Sequence, residues 1–385
     1  MAASRANLDH NATSPVRPVA QAAVMAALEL PGNPSSVHAE GRAAKALLEA
    51  SRDKIASAFG ARPGDVIFTS GATEALNTVL LPYAFARRSR VLIGMTEHVA
   101  ALHGYSPDCA SAGLIPVDSS GLVDLGRLEE ILADQPHQLV VAVQAANNET
   151  GVLQPMKQIA ALTRAHSAVL VCDAVQMPGR APCRLGDLEA DALVISAHKF
   201  GGPKGIGAII LGNCDLPLAA RLLRGGGQEL RRRPGTENLA GIAGMAAALV
   251  EAVAQQESEA LRLAGLRDEL ERQVCAVAPD AVFFGANAPR LPNTSLFAIP
   301  GLRAEMLLMA FDLAGVAVSS GAACSSGKVA RSHVLDAMGC APHLAEGAIR
   351  ASLGWTTTDA DIAQFAGALA KIVALRGKTA NRLTG

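Results

Sequence analysis

The sequence predicts an α/β protein with a mostly parallel sheet that helices cover on both faces. Short runs rich in Val, Ile and Leu alternate with longer helical patterns before residue 212. The runs are VIFTS (66–70), VLIGM (91–95), LVVAVQA (139–145), AVLVC (168–172), ALVIS (192–196) and IGAIIL (206–211). Because each run is apolar at successive positions, both faces of each strand are buried, which is typical of parallel sheets. The helical patterns include 38–59, 73–86 and 157–165.

A second, smaller α+β domain is predicted in the last third of the chain, where the sequence pattern changes. An Ala-rich helix (239–254) is followed by an amphipathic helix (257–276) and then by two strand-like pieces, AVFFG (281–285) and GVAVSS (315–320). A change of this kind indicates a domain boundary, and the extreme N-terminus is expected to pack with the second domain. The predicted large domain is 14–254, and the predicted small domain is 1–13 together with 255–385.

Composition and charge narrow the class of protein. The 385 residues are 50% hydrophobic with a formal net charge of -1, which indicates a large buried core. Two basic clusters, 87–90 and 231–233, lack the interleaved aromatic residues of a nucleic-acid platform, so no direct nucleic-acid partner is expected. The start has no apolar signal segment, and the Ala-rich stretch 239–250 is too short to span a membrane. We therefore expect a cytoplasmic protein without a membrane partner.

The seven cysteines indicate neither a disulfide framework nor a structural zinc site. Their number is odd and no CxxC pair occurs. Cytosolic proteins keep their thiols reduced, and zinc ribbons need paired ligands at short spacing. The sequence therefore predicts a reducing compartment and no metal. Cys324 lies in the stretch SSGAACSSGK (319–328), where it could be a small hydrophobic residue in a turn, a metal ligand or a nucleophile on a loop.

Polar residues directly after the predicted strands mark a candidate site, because ligands of open α/β sheets collect at the carboxyl ends of strands. In TSGATEALN (69–77) a strand breaks at Gly71 and a helix begins near Thr73. Free backbone N–H groups at a helix start form a phosphate cup. The alternative is an ordinary Thr73 N-cap with Glu74 in the first turn.

An acidic residue and a basic residue follow two consecutive strands. Asp173, in VCDAVQ (171–176), lies where an apolar strand ends. Lys199, in VISAHKFGGPKG (194–205), follows the next strand. One interpretation is a direct ion pair, since a buried carboxylate is costly without a cation or strong donor. The other places a flat heteroaromatic ring between them, with Lys199 holding an aldehyde as a Schiff base and Asp173 keeping the ring nitrogen protonated. The second interpretation describes pyridoxal phosphate.

Two further strand ends carry residues with open interpretations. His98 in MTEHVAAL (95–102) would be a satisfied polar residue in a protein without a ring ligand, and beside a ring it would stack and transfer protons. The paired asparagines of QAANNETG (144–151) would be turn formers, or Asn148 would donate to a ring hydroxyl or a substrate carboxylate.

Taken in order, these segments resemble a known family. The chain closely resembles the cysteine desulfurases of the NifS/IscS type, which are class V aminotransferase-like, fold type I enzymes that use pyridoxal 5'-phosphate. The resemblance runs from Leu8 to about Trp355. The segments that carry it are LDHNATSPV, GNPSSVH, FTSGATEA, TEH, NNETG, CDAVQ, SAHK, GPKGIGA, GGGQE, RPGTEN, SSGAACSSG and IRASLGW.

The resemblance implies a role for each matching residue around the cofactor. Lys199 forms the Schiff base, Asp173 faces the ring nitrogen, and His98 stacks on the ring and transfers protons. Gln176 and Asn148 donate near the ring oxygen. The phosphate is held by Thr73, Ser196, His198 and the backbone of Ala72, and by Thr236 of the neighbouring subunit, so a homodimer is implied.

The resemblance also implies the reaction and its partners. Arg350, with Asn148, binds the substrate carboxylate through its guanidinium fork. Cys324 accepts the sulfur of L-cysteine as a persulfide while L-alanine is released, and the sulfur passes to an acceptor such as an iron–sulfur scaffold protein. The alternatives are a selenocysteine lyase or a transaminase-like enzyme on the same scaffold, or a homologue without cofactor.

Overall fold

The computed structural model describes residues 5–85, 90–104, 112–134, 139–212, 218–219, 221–321 and 331–383. Its strands are β1 (Ala6–Asn7), β2 (Val66–Thr69), β3 (Arg90–Gly94), β4 (Ala112–Ile115), β5 (Leu139–Gln144), β6 (Val169–Asp173), β7 (Ala192–Ser196), β8 (Gly207–Leu211), β9 (Val282–Phe283), β10 (Thr294–Ala298), β11 (Val316–Ala317), β12 (Ser319–Ser320) and β13 (Ile349–Ser352). Its α-helices are α1 (Pro18–Leu28), α2 (Ala39–Phe59), α3 (Ala72–Val79), α4 (Val99–Leu102), α5 (Leu125–Asp134), α6 (Met156–Ala165), α7 (Leu185–Leu188), α8 (Leu239–Ala254), α9 (Gln256–Val277), α10 (Ala304–Leu313), α11 (His333–Ala337), α12 (Pro342–Ala345) and α13 (Asp359–Leu383).

The main sheet has the strand order β2-β8-β7-β6-β5-β3-β4. The pairs from β7 to β4 are parallel, and β8 is antiparallel to both β7 and β2. Strand β2 therefore runs in the same direction as β7, and only β8 is reversed within this sheet. As a result, the carboxyl ends of β2, β3, β5, β6 and β7 lie at one edge, as the mostly parallel sheet predicted from the sequence requires.

Helices cover both faces of this sheet, and the strand sequences show why. Alternate residues of a strand point to opposite faces. Leu170 and Cys172 of β6 join one core cluster, which also contains residues of α2, α6 and α8. Val169 and Val171 join the other cluster, with residues of α3 and α4. Both faces are buried, so the strand needs apolar residues at successive positions.

A second core lies in the C-terminal part of the chain. A four-stranded antiparallel sheet has the order β12-β13-β10-β9, and a separate parallel pair joins β1 to β11. Phe297, Phe311 and Phe365 pack together in its core, with ring centroids 5.0 Å apart for the stacked pair Phe311 and Phe365. Ala6 and Leu8 are buried in the same cluster. The domain boundaries at 13 and 254 stay a prediction.

Helices α8 and α9 connect the two cores. The apolar face of α8 packs in the core of the main sheet, whereas Leu263, Leu266 and Leu270 of α9 lie in the second core. The two helices meet at a bend of 72°. As a bent pair they have the length and composition of a membrane span, but within the described residues no single helix is long and apolar enough to cross a membrane.

Two sequence-based element predictions were wrong. The helix predicted over 73–86 ends at Val79, because the residue before Pro82 is disfavoured in helical conformation. The strand predicted over 315–320 is divided at Val318: β11 pairs with β1, and β12 pairs with β13. This division brings Ser319 beside Arg350.

Candidate active site

A cavity of about 630 Å³ lies at the edge of the main sheet where the parallel strands end. Residues that follow β2, β3, β5, β6 and β7 line it, and the second core contributes residues from β12 and β13. The predicted site residues that line this cavity are Ala72, Thr73, His98, Asn148, Asp173, Gln176, Ser196, His198, Lys199 and Arg350.

Asp173 and Lys199 both line this cavity. Asp173 is the last residue of β6, its side chain is buried, and its Oδ1 accepts a hydrogen bond from the N–H of Val175 at 2.9 Å. Lys199 follows β7, and its Nζ donates to the backbone carbonyls of Asn11 (2.6 Å) and Ala12 (3.0 Å). Burial raises the pKa of Asp173 to about 6, an effect that the N–H of Val175 and the charge of Lys199 oppose. A protonated ring nitrogen would favour the charged carboxylate.

The raised pKa of Asp173 gives a stability prediction for the protein without cofactor. The folded state binds this proton more tightly than the unfolded state does, so ionisation of Asp173 lowers stability as pH rises from about 4 to about 6. We expect Asp173→Asn to raise the free energy of unfolding at pH 7 by about 1–3 kcal/mol, since one pKa unit corresponds to about 1.4 kcal/mol. Urea unfolding of both proteins at pH 4 and pH 7 measures it. A gain of equal size at both pH values would contradict the prediction.

The start of α3 lines the cavity. Gly71 is the N-cap residue and provides no side-chain cap, so the predicted alternative of a Thr73 N-cap is wrong. Glu74 lies in the first turn of the helix, as that alternative predicted, and it accepts from the N–H of Ser70 at 2.7 Å and from Nε of Arg233 at 3.0 Å. The hydroxyls of Thr73 and Ser196 line the cavity beside this helix end. N–H groups and hydroxyls at a helix N-terminus are suited to a phosphate.

Both histidines of the cavity are neutral at pH 7. Burial, together with the charges of Lys199 and His333, lowers the pKa of His98 to about 4. Nδ1 of His98 accepts from the N–H of Ala100 at 3.1 Å, so the neutral ring carries its proton on Nε2. Burial and neighbouring cations also lower the pKa of His198 to about 4, and its Nδ1 lies 3.2 Å from the Thr13 hydroxyl.

The two adjacent asparagines have different positions. Oδ1 of Asn147 accepts from the N–H groups of Glu149 (2.9 Å) and Thr150 (2.8 Å), so Asn147 is the turn former. Asn148 lines the cavity, and its backbone carbonyl accepts from Nη1 of Arg350 at 3.0 Å. The turn therefore orders Asn148 beside Arg350.

Arg350 is buried in the wall opposite the main sheet. It lies in β13 with 3% exposure, and its Nη2 donates to Oδ1 of Asp9 at 2.7 Å. Its Nε is buried without a hydrogen-bond partner among the described residues. Such an orphaned donor is rare in proteins and marks a place where a ligand oxygen is expected. A carboxylate is the group that a guanidinium binds best.

Among the described residues, Thr236 is the predicted site residue that does not line this cavity. It is exposed. Cys324 lies outside the described residues, between Gly321 and Arg331. Ser319, which lines the cavity, precedes Cys324 by five positions in the sequence.

An N-terminal segment that was not predicted from the sequence also lines the cavity. Asp9, Asn11 and Thr13 line it. Nδ2 of Asn11 donates to the carbonyl of Asn148 at 3.1 Å, and the carbonyl of Asn11 accepts from Lys199. The signals in the sequence were the polar cluster Asp9-His10-Asn11 directly after Leu8 and the family resemblance of LDHNATSPV (8–16), to which no site role was assigned.

Comparisons with known proteins give a consistent result. The family model described as aminotransferase class-V matches residues 6–365. A cysteine desulfurase from Cereibacter sphaeroides is 40% identical over 377 residues, covering 96% of both chains. The cysteine desulfurase IscS of Dictyoglomus turgidum is 37% identical over 375 residues, covering 95% of this chain and 94% of that protein. The X-ray structure of a NifS-like protein from Rickettsia africae has a TM-score of 0.86 at 35% identity and covers 96% of this chain and 99% of its own.

The chain belongs to the class-V aminotransferase family, whose fold and cofactor the cavity residues fit: a buried carboxylate, an amine, a neutral imidazole and an uncapped helix start. Within that family, the predicted enzyme class, a pyridoxal-phosphate-dependent cysteine desulfurase of the NifS/IscS type, is confirmed. The predicted fold class and cofactor are confirmed as well.

Proposed function

We propose that this protein converts L-cysteine to L-alanine and transfers the substrate sulfur to its own Cys324. The observation that carries the proposal is the cavity itself, which joins Lys199 and Asp173 on one wall to Arg350 and Ser319 on the other. An amino acid bound through its carboxylate at Arg350 would have its Cα between these walls. The segment that leads to Cys324 begins at the same cavity.

The residues around the cofactor bind and orient it. Pyridoxal phosphate supplies an electron sink for bonds at the substrate Cα. Thr73, Ser196 and His198, with the backbone N–H of Ala72, would hold the phosphate. Asp173 as a carboxylate would stabilise the protonated ring nitrogen. Gln176 and Asn148 would donate to the ring oxygen, His98 would stack on the ring, and Lys199 would bind the aldehyde carbon.

The substrate is oriented by charge. The carboxylate of L-cysteine accepts hydrogen bonds from the guanidinium of Arg350, whose buried Nε is available to it. With substrate bound, the free amine of Lys199 would remove the Cα proton. His98, neutral with its proton on Nε2, would donate a hydrogen bond from Nε2 to a bound group. It would donate a proton only after it has first accepted one, because a neutral imidazole is a very weak acid.

The sulfur step uses a thiolate as nucleophile. The thiolate of Cys324 attacks the substrate sulfur, an S–S bond forms, and the substrate Cβ–S bond breaks. The electron pair of the broken bond stays with the three-carbon fragment, which takes up a proton at Cβ and leaves as alanine. A thiol with a pKa near 8.5 is only a few per cent ionised at neutral pH, so a neighbouring base or cation must assist Cys324.

The proposal includes partners and location. Thr236 is exposed in its own chain, which agrees with a homodimer in which it reaches the phosphate of the neighbouring subunit. The persulfide of Cys324 is then passed to a thiol of an acceptor protein such as an iron–sulfur scaffold. Free thiols and a persulfide product suit the reducing cytoplasm.

A single-turnover mass experiment tests the proposal. After incubation of the holoenzyme with L-cysteine, we expect the peptide that contains Cys324 to gain the mass of one sulfur atom, in step with alanine formation. Cys275, which is exposed, serves as the internal control and is expected to gain none. Alanine formation without sulfur on Cys324, or equal sulfur on Cys275, would contradict the proposal.

A further inference from the structure

Arg180 is a buried arginine whose charge meets only carbonyl oxygens among the described residues. Nη1 donates to the side-chain Oε1 of Gln176 and, at 3.3 Å, to the backbone carbonyl of the same residue. Nη2 donates to the backbone carbonyls of His10 and Lys199, each at 3.2 Å. No carboxylate of the described residues forms an ion pair with it. A guanidinium in this environment is costly to bury.

The contacts of Arg180 close a ring of hydrogen bonds around Lys199. The guanidinium holds the carbonyl of Lys199, while the ammonium of Lys199 donates to the carbonyl of Asn11. The backbone carbonyl of His10, the residue before Asn11, accepts a hydrogen bond from Nη2 of Arg180. Both ends of Lys199 are therefore tied to one short N-terminal segment: its ammonium directly, and its carbonyl through Arg180 and through the Ser14 hydroxyl, which donates to it at 3.2 Å.

Arg180 also determines which way the Gln176 amide points. Arginine can only donate hydrogen bonds, so the amide oxygen must face it. The amide nitrogen, Nε2, then faces the other side and donates to the carbonyl of Asn11 at 3.1 Å. Gln176 lines the cavity, so its N–H₂ group is the part available to an acceptor in the cavity.

We propose that Arg180 is a positioning residue that presents the N–H₂ group of Gln176 and the backbone of Lys199 to the cofactor. The proposal rests on the proposed function, since it concerns the same cavity. Burial and the charge of Arg350 lower the pKa of Arg180 to about 9, so the guanidinium stays charged at neutral pH and keeps its donors. Removal of Arg180 takes away the donor that faces the Gln176 amide oxygen and one donor to the Lys199 carbonyl, which keeps the Ser14 hydroxyl.

The test is a double-mutant cycle between Arg180 and Gln176, measured by titration of the apoprotein with pyridoxal phosphate. We expect Arg180→Met and Gln176→Ala each to raise the dissociation constant by about tenfold or more, as expected for a hydrogen bond with a charged partner. The dissociation constant of the double variant is expected to exceed that of the weaker-binding single variant by no more than about threefold. If it instead rises by the product of the two single-variant factors, the two residues act independently and the proposal is overturned.

Two controls separate positioning from general stabilisation. Arg52 is also a buried arginine, but it pairs with Glu229 away from the cavity. We expect Arg52→Met to lower the melting temperature without changing cofactor affinity or the visible absorbance maximum. We expect Arg180→Lys to recover part of the affinity, because an ammonium keeps the charge but not the fork. A lower melting temperature with unchanged cofactor affinity in Arg180→Met would also overturn the proposal.

Gln176→Glu keeps the test decisive even if Arg180→Met does not fold. The carboxylate would form an ion pair with Arg180, so we expect a higher melting temperature of the apoprotein and weaker cofactor binding, because the N–H₂ donor is lost. Unchanged cofactor affinity would overturn the proposal. If wild-type protein fails to bind the cofactor, the proposed function fails instead. The rise in melting temperature would still report the contact between Arg180 and residue 176.

Discussion

Lys199→Ala is expected to lower alanine formation from L-cysteine by about a thousandfold or more, the size expected when a positioned acid–base group is lost. The carbonyls of Asn11 and Ala12 hold the Lys199 ammonium, and no other described cavity residue carries an amine in that position. We also expect the visible absorbance of the bound cofactor to shift, because the covalent link to the chain is lost. Alanine formation and the absorbance spectrum are the two measurements.

Lys204 provides a matched control for this prediction. Lys204 lines the same cavity but is exposed, and it lies shortly before β8, which begins at Gly207. Lys204→Ala is expected to lower activity by less than about tenfold, as for an exposed charge, and to leave the spectrum unchanged. Equal losses in the two variants would show that the amine at 199 has no special part in the reaction.

The direction of the strands explains which site residues the sequence could predict. Asp173, Lys199 and His98 each follow a strand that runs in the same direction, so one rule about carboxyl ends places all three at one edge. Lys204 precedes β8, which is reversed, and its position is therefore not given by that rule. The order of the strands was not available from the pattern of apolar residues, which does not report pairing.

Long-range contacts account for what the sequence analysis missed. Asn11 contacts Lys199 across 188 positions of sequence, and Arg180 contacts His10 across 170. Neither residue has a local pattern that differs from an ordinary loop or turn. Asn147 and Asn148 are a milder case, because the sequence predicted both a turn and a donor there, and only the hydrogen bonds assign the turn to Asn147.

Burial sets the charge state of the cavity groups before any ligand binds. Burial raises the pKa of Asp173 to about 6, and it lowers the pKa of His98 and that of His198 to about 4. In each case desolvation disfavours the charged form. A cationic ring nitrogen beside Asp173 would lower the pKa of this carboxyl again and so favour its charged form. Cofactor binding is therefore expected to stabilise the fold through the same residue that destabilises the apoprotein.

The second large effect is expected for Cys324→Ala, which should separate the cofactor chemistry from sulfur transfer. Lys199, Asp173 and Arg350 are unchanged in this variant, so we expect wild-type cofactor affinity and visible absorbance. Persulfide formation and alanine release should fall by about a thousandfold or more, because no nucleophile reaches the substrate sulfur. Cys340→Ala is the matched control and is expected to retain activity, since Cys340 lies outside the cavity.

Exchange of the substrate Cα proton with deuterium from solvent gives the decisive measurement for Cys324→Ala. Lys199 is the group expected to move that proton, and it does so before the Cβ–S bond breaks. We therefore expect exchange into L-cysteine to continue in Cys324→Ala and to stop in Lys199→Ala. If exchange stops in both variants, Cys324 is needed to assemble the cavity rather than to accept sulfur. If alanine forms at the wild-type rate in Cys324→Ala, another group takes the sulfur and the assignment of Cys324 is wrong.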